Sequence, residues 1–347
     1  MPRVPNNISS SVGRGIAVDL GTATTIVYVR GEGIVLEEPS VAALDARSDR
    51  LLAVGRNAKE MIGRTPANIR TVRPLKEGVI ADFGVCEKML RYFIQQVHSN
   101  RFTKPRMVIC VPSGITPVEQ RAVQEVAEFA GARRPVFIIE EPMAAAIGAG
   151  IAVQQPSGSM IVDVGGGTTE IAVISLGGIV VSRSVRVAGD DFDQTISDYI
   201  RKEYSLGLGE QTTEHVKVKY TSAWPLNEEL HLSIPGRDLV TGLPKSVGVN
   251  TVELREAIEE PLNEIIGGVQ ATLDAAPPEL TADIMESGIH LAGGGSRLIG
   301  LAERLATETG IKVNRVKNPQ YVVAYGSGHS LEEFESLRGV LHSPVAE

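Results

Sequence analysis

Two segments of this 347-residue chain repeat one arrangement of residues capable of chemistry: GIAVDLGTATTIVYV at 15–29 and SMIVDVGGGTTEIAVI at 159–174. Each reads as an apolar strand, an Asp, a glycine-bearing turn, two Thr and a returning strand. The aspartates, Asp19 and Asp163, stand 144 residues apart. A tight Gly/Thr turn presents backbone N–H groups, and glycine lets them approach an anion with no Cβ in the way. Each copy could therefore hold one side of a phosphate chain. An Asp ahead of such a turn repels phosphate but can hold the hydration shell of a Mg²⁺ that bridges the phosphates. Asp19 and Asp163 are thus expected as a metal pair.

A third glycine cluster, Gly293, Gly294, Gly295 and Ser296, falls between a strand pattern and a helix pattern. Close backbone approach there suits a nucleotide base, ribose or α-phosphate. No G-x-x-x-x-G-K-[ST] is present, which excludes a P-loop. A lone Gly-rich turn is usually a plain turn; the duplication, with a third loop in order, is what carries the expectation. The histidines show no paired metal spacing and are assigned no chemistry.

The elements that must position these turns alternate in type. From Gly15 the chain reads as glycine-broken strands, and residues about 40–80 as a small insertion with little core of its own. Val85, Met89, Leu90, Phe93, Ile94 and Val97 predict an amphipathic helix leading to strand RMVICVP. Pro117 opens a further helix that Ala130-Gly131 closes; PVFIIEE predicts a strand, and Pro142 starts the helix of MAAAIGAGI. PSG at 156–158 is the best linker candidate, after which the pattern starts over. One long helix is predicted over Val252–Leu273, and strand GIHLAGGG and helix SRLIGLAERLATETG then restore the alternation. The rhythm is that of an α/β protein of about two domains.

Composition narrows the function classes. Apolar residues at 43% and charged residues at 22% are ordinary globular usage. A net charge of −8 leaves no basic excess to neutralise nucleic acid. No stretch reaches about 18 uninterrupted apolar residues and the opening lacks a signal-peptide h-region, so a cytosolic location is expected. Cys86 and Cys110 fall within apolar patterns, as buried thiols of a reducing compartment would.

The segments DLGTATT, DVGGGTTE and LAGGGS resemble, in order, the phosphate-one, phosphate-two and adenosine motifs of the actin superfamily, shared by actin, the seventy-kilodalton heat-shock chaperones and sugar kinases. Within that group LEEPSVAAL, GRTPANI, RPLKEGVIADF, EKMLRYFI, IEEPMAAAIGAG, TGLPK and PPEL are most similar to the MreB family of bacterial actins, over residues 13–330. The resemblance implies an actin-like ATPase fold, with two lobes that each carry a duplicated ribonuclease H-like α/β core, and four subdomains. They would be IA (1–42, 76–155 and 320–347), IB (43–75), IIA (156–188 and 252–319) and IIB (189–251). It also implies ATP and Mg²⁺ as ligands, slow hydrolysis, and head-to-tail filaments beneath the inner membrane that position cell-wall elongation proteins and so control rod shape.

Residue by residue, the resemblance places Thr22, Ala23 and Thr24 around the β/γ-phosphates, opposite Gly165, Gly166 and Gly167, with Gly293 to Ser296 facing the adenosine. Glu214, His215, Val216 and Lys217 match the ribose and adenine segment; on their own, Glu214 and Lys217 read as an i, i+3 surface pair. Glu141 matches the carboxylate that orients the attacking water, with Thr168 near the γ-phosphate, although a Glu before Pro is also an ordinary first-turn acid. Relatives that attach to membrane through a small hydrophobic loop place Phe102 at that position, flanked by Arg101 and Lys104. Two other readings of the same fold are a small-molecule kinase and a chaperone-type ATPase module. The first would want a substrate pocket beside its base, and the second a continuation into a peptide-binding domain.

Overall fold

A computed structural model describes residues 15–98, 103–334 and 336–341. Phe102 lies outside the described residues.

Two five-stranded sheets carry the molecule, and they have the same topology. In the first, Gly15–Leu20 pairs antiparallel with Thr24–Val29, which pairs antiparallel with Gly33–Pro39. On its other side it pairs parallel with Arg106–Val111, and that strand pairs parallel with Arg133–Glu140. In the second, Ser159–Val164, Thr169–Ser175 and Gly178–Val185 form the antiparallel run, with Ile289–Ala292 and Val313–Arg315 added in parallel. The internal repeat of the sequence is therefore a repeat of a whole sheet.

The period of two along each strand divides the core into layers. Ile16, Val18 and Leu20 face the outer core of the first lobe, and Met160, Val162 and Val164 that of the second. The alternate residues Ala17 and Ile161 face a shared middle layer. That layer holds helices Glu141–Gly148 and Val322–Glu332, which link the lobes. They pack backbone to backbone: a Cβ on Gly148 would sit 1.8 Å from the carbonyl oxygen of Val322, and one on Gly326 1.8 Å from that of Ala144.

Smaller elements close the top of each lobe. In the first, a three-stranded sheet of Leu51–Val54, Ala42–Asp45 and Ile69–Val72 carries helix Arg56–Met61 over a small cluster of Val41, Ala43 and Ala58. In the second, Leu206–Gly207, His231–Asp238 and Pro244–Asn250 form another small sheet, and helix Glu210–Tyr220 precedes the hairpin.

Two expected helices are broken. The pattern over Val252–Leu273 divides at Ile258 into Thr251–Ala257 and Glu259–Ala275, because Pro261 has no N–H for the carbonyl of Ala257 and its ring crowds it. The helix expected from Ser296 begins at Leu301, after a short 3₁₀ turn at Gly295–Arg297 and a left-handed Gly300 with φ 76°. Cys86 and Cys110 are both free and buried. Among the described residues no helix is long and apolar enough to cross a membrane.

The contrast between helix glycines is testable. Gly326→Ala should destabilise by about 2–3 kcal/mol, since its methyl has only backbone to displace. Gly267→Ala, with nothing within 4 Å of the added carbon, should stabilise by about 0.5–1 kcal/mol. Urea-unfolding midpoints of the two variants moving the same way would contradict the packing described.

Candidate nucleotide site

The strand period that layers the core also aims the acids. Asp19 follows Ala17 by two residues and Asp163 follows Ile161 by two, so both side chains leave their sheets on the inner face. They open into one cavity of about 880 Å³ between the lobes, a volume in the usual range for a bound organic ligand. The hairpin turns meet across it: a Cβ on Gly166 would lie 2.6 Å from that of Ala23, and one on Gly167 2.8 Å from Thr22 Oγ1. The second-lobe turn is further fixed from behind, where Gly189 N and Asp190 N, at the start of helix Gly189–Tyr204, donate to the carbonyls of Gly165 and Gly166 at 3.2 and 2.8 Å.

Of the residues singled out from sequence, Asp19, Thr22, Ala23, Thr24, Glu141, Asp163, Gly165, Gly166, Gly167, Thr168, Glu214, Lys217, Gly293, Gly294 and Gly295 line this cavity. Three of the expected residues lie outside the lining. Val216 is buried in the second-lobe core, and the His215 ring packs edge-on against Tyr220, because residues i+1 and i+2 of a helix turn away from the face that Glu214 and Lys217 share. Ser296 is fully buried and its Oγ donates to Gly293 O at 2.6 Å, so it braces the third glycine loop from within. Gly293 itself has φ 82°, and a Cβ there would meet Val164 O at 2.2 Å and Asp163 Oδ1 at 2.3 Å.

The base of the cavity gathers acidic side chains. Burial pushes Asp19 up to about 7, and burial with the charges of Asp19 and Glu170 pushes Asp163 up to about 8. Glu141, at the start of its helix, is raised well above the carboxylate range by burial and by the charges of Glu170, Asp19 and Asp163. Glu170 is raised by burial, against hydrogen bonds from Ser113, Ser184 and Thr168. Among the described residues no Lys, Arg or His forms an ion pair with any of these four acids. Nor does any group of three or more His, Cys, Asp or Glu side chains there cage a metal unaided. Magnesium is accordingly well matched to this donor set: it takes one or two carboxylates and fills its octahedron with water and phosphate oxygens.

The mouth of the cavity is arranged in the opposite sense. First-lobe cations face second-lobe acceptors on one turn of helix Glu210–Tyr220. Lys59 Nζ lies 2.7 Å from the Glu214 carboxylate, Arg73 pairs with Glu210, and Arg64 Nη2 donates to Gln211 Oε1 at 3.3 Å. Gln211 Nε2 returns a bond to Lys59 O at 3.0 Å. Lys217 is engaged too, donating to Asp193 at 2.6 Å and to Gly189 O at 2.8 Å. Sequence reasoning missed Lys59, Arg73, Asp193 and Glu170. The first three acquire a role only when distant segments meet. Glu170 did leave a local signal, a lone acid opening the apolar run EIAVIS.

Repeated sheets about a cleft, each contributing an acidic hairpin, define an actin-like nucleotide-binding ATPase. The MreB/Mbl protein family profile matches residues 13–339, and the chain belongs to that family. It is 51% identical over 336 residues to the cell shape-determining protein MreB of Escherichia coli K12, covering 94% of this chain and 96% of that one. Against the cell shape-determining protein Mbl of Bacillus subtilis 168 it is 49% identical over 325 residues, covering 93% and 97%. Crystal structures of Spiroplasma citri MreB5 bound to ADP and to AMPPNP superpose with TM-scores of 0.88 and 0.89 at 36% identity, covering 94% of this chain and 98% of theirs.

The charge on the cavity floor gives the ligand-free chain a distinctive pH response. Asp19 and Asp163 have native pKa values of about 7 and 8, above the ordinary ~3.9 of an unfolded Asp, so the native state holds more protons between those limits. Their contribution is complete below about pH 4 and is lost as pH rises through about 7 to 8. Stability without nucleotide or metal should therefore fall from about pH 5 to pH 8, by at most about 1.4 kcal/mol per pH unit for each group, and Asp163→Asn should flatten the slope. Thermal melts across that range with the same slope in both proteins would contradict this.

Proposed function

We propose that this chain is an ATP-dependent, filament-forming cytoskeletal protein of cell-shape determination, which binds Mg-ATP between its lobes and hydrolyses it slowly in step with polymerisation. The observation that carries the reading is the meeting of two mirrored acidic hairpins across one cavity, with no cation ion-paired to Asp19, Asp163 or Glu141 among the described residues. Family membership supports the cell-shape role, and the nucleotide-bound Spiroplasma relatives support ATP as the ligand.

In this reading the turns at Thr22, Ala23 and Thr24 and at Gly165, Gly166 and Gly167 hold the phosphate chain through backbone N–H groups. Gly293, Gly294 and Gly295 admit the adenosine, and Glu214 and Lys217 contact ribose and base. Asp19 and Asp163 hold the hydrated cation. When bound, Mg²⁺ neutralises charge on the phosphates and on the carboxylates around it. Glu141 and Thr168 orient the attacking water, and an ionised carboxylate with raised proton affinity is the better proton acceptor. The subdomain division set out above, IA, IB, IIA and IIB, belongs to the same proposal.

The proposed partners are further copies of the chain, added head to tail, the inner face of the cell membrane, and proteins of cell-wall elongation. A structure described as a MamK double helical filament has the same fold, with a TM-score of 0.79 at 24% identity. A small-molecule kinase or a chaperone module is disfavoured by extensive similarity to proteins named for cell shape.

Two substitutions separate binding from chemistry. Glu141→Ala should retain ATP affinity while phosphate release falls by about 10²-fold or more; unchanged turnover would remove its role. Asp163→Ala should lose about tenfold or more in Mg²⁺-dependent nucleotide affinity by calorimetry. Equal affinities with and without Mg²⁺ in both proteins would rule out the metal assignment.

A further inference from the structure

Glu170 is 1% exposed, and its carboxylate ties the two lobes together. It lies in the second lobe directly across the strand pair from Asp163, and accepts hydrogen bonds from Ser113 N at 2.9 Å and Ser113 Oγ at 2.6 Å, both in the first lobe. Its other oxygen accepts from Ser184 Oγ at 2.5 Å, and the Thr168 hydroxyl, two residues back along the chain, lies close enough to favour its charged form. A carboxylate buried among hydroxyls with no cation is costly and calls for a reason beyond packing.

The repeat shows that the hairpin does not require an acid here. In the first lobe the residue paired across from Asp19 is Ile26, whereas across from Asp163 it is Glu170. Both copies carry a Thr two residues before this position, Thr24 and Thr168, so the acid is what sets the second copy apart; it reaches Ser113, whose neighbour Pro112 flanks first-lobe Gly78 together with Thr168. A Cβ built on Gly78 would touch both Pro112 Cγ, at 2.6 Å, and Thr168 Cγ2, at 3.2 Å. Fixing Ser113 against Glu170 therefore fixes how closely the first lobe presses on Thr168.

We propose that Glu170 is a positioning residue for ATP hydrolysis: it locks first-lobe Ser113 to second-lobe Thr168 and so holds the Thr168 hydroxyl in register with Glu141. This rests on the hydrolytic reading above. Glu170 touches no reacting atom and acts through Thr168 and the closure of the lobes at the cavity floor.

The test compares wild type, Glu170→Gln and Ser113→Ala in the full chain, measuring phosphate release, ATP affinity in Mg²⁺ and melting temperature. Glu170→Gln cannot accept from both Ser113 donors and Ser184 at once. Its kcat should fall by about tenfold or more while ATP affinity stays within about threefold. Ser113→Ala removes one donor and should lower kcat less, in the same direction, and the double variant should be no worse than Glu170→Gln alone. Either of two results overturns the proposal: turnover within twofold of wild type in Glu170→Gln, or loss of turnover matched by equal loss of affinity in both single variants. Should Glu170→Gln fail to fold, Ser113→Ala decides by the same criterion. A folded wild type that releases no phosphate removes the hydrolytic reading itself, a result distinct from an unaffected Glu170→Gln.

Discussion

Three carboxyl groups lining one cavity, Asp19, Asp163 and Glu141, with Glu170 buried behind them and no ion pair to any of the four among the described residues, are the constraint around which the rest is arranged. Removing charge from water is expensive, and like charges in a poorly screened site raise the cost further. The lining acids therefore favour either bound protons or a bound cation over bare charge. The mouth is built in the opposite sense, with Lys59, Arg64 and Arg73 on one side and Glu210, Gln211 and Glu214 on the other. The lobes are thus joined at the rim by ion pairs and at the base by the Ser113–Glu170 hydrogen bonds, with the opposed carboxyl groups of the lining between these two ties.

The magnitudes indicate which end dominates. Lys59, Glu214, Arg73 and Glu210 have side chains 29 to 40% exposed, and ion pairs of that exposure are worth about 0–1 kcal/mol each, less in salt. The contacts at the base are buried, where a lost partner costs more than a surface pair contributes. The rim is therefore the weaker of the two ties, and the base the stronger. Helices Glu141–Gly148 and Val322–Glu332, which join the lobes, cross at glycine with their backbones in contact.

What was legible in the sequence was local in its physics. The Asp–Gly–Thr hairpins and the third glycine loop announce themselves because turn chemistry depends on a few adjacent residues, and the strand period then fixes which way Asp19 and Asp163 point. The break at Ile258 was also written locally, in Pro261, but apolar spacing on either side continues in phase and masked it. Lys59 and Glu214 are 155 residues apart, and no pattern within either helix signals the other. His215, Val216 and Ser296 show the converse: a matching segment carries residues that line the cavity together with neighbours that pack behind it.

The repeat has also diverged where the copies touch. The first-lobe turn presents side chains, Thr22 and Ala23, and the second-lobe turn presents Gly166 and Gly167. Two identical turns would either clash as paired side chains or leave a gap as paired glycines, so close approach requires one copy to give up its Cβ atoms. The opposite-strand position diverged in the same way, with Ile26 in one lobe and Glu170 in the other. An exact duplication would line both sides of the cavity alike, whereas the proposed hydrolysis needs water on one side only of a terminal phosphate. The second-lobe hairpin, with Thr168 beside Glu170 and Glu141 within reach of its charge, is the copy whose departures from symmetry make one end of the cavity chemically different from the other.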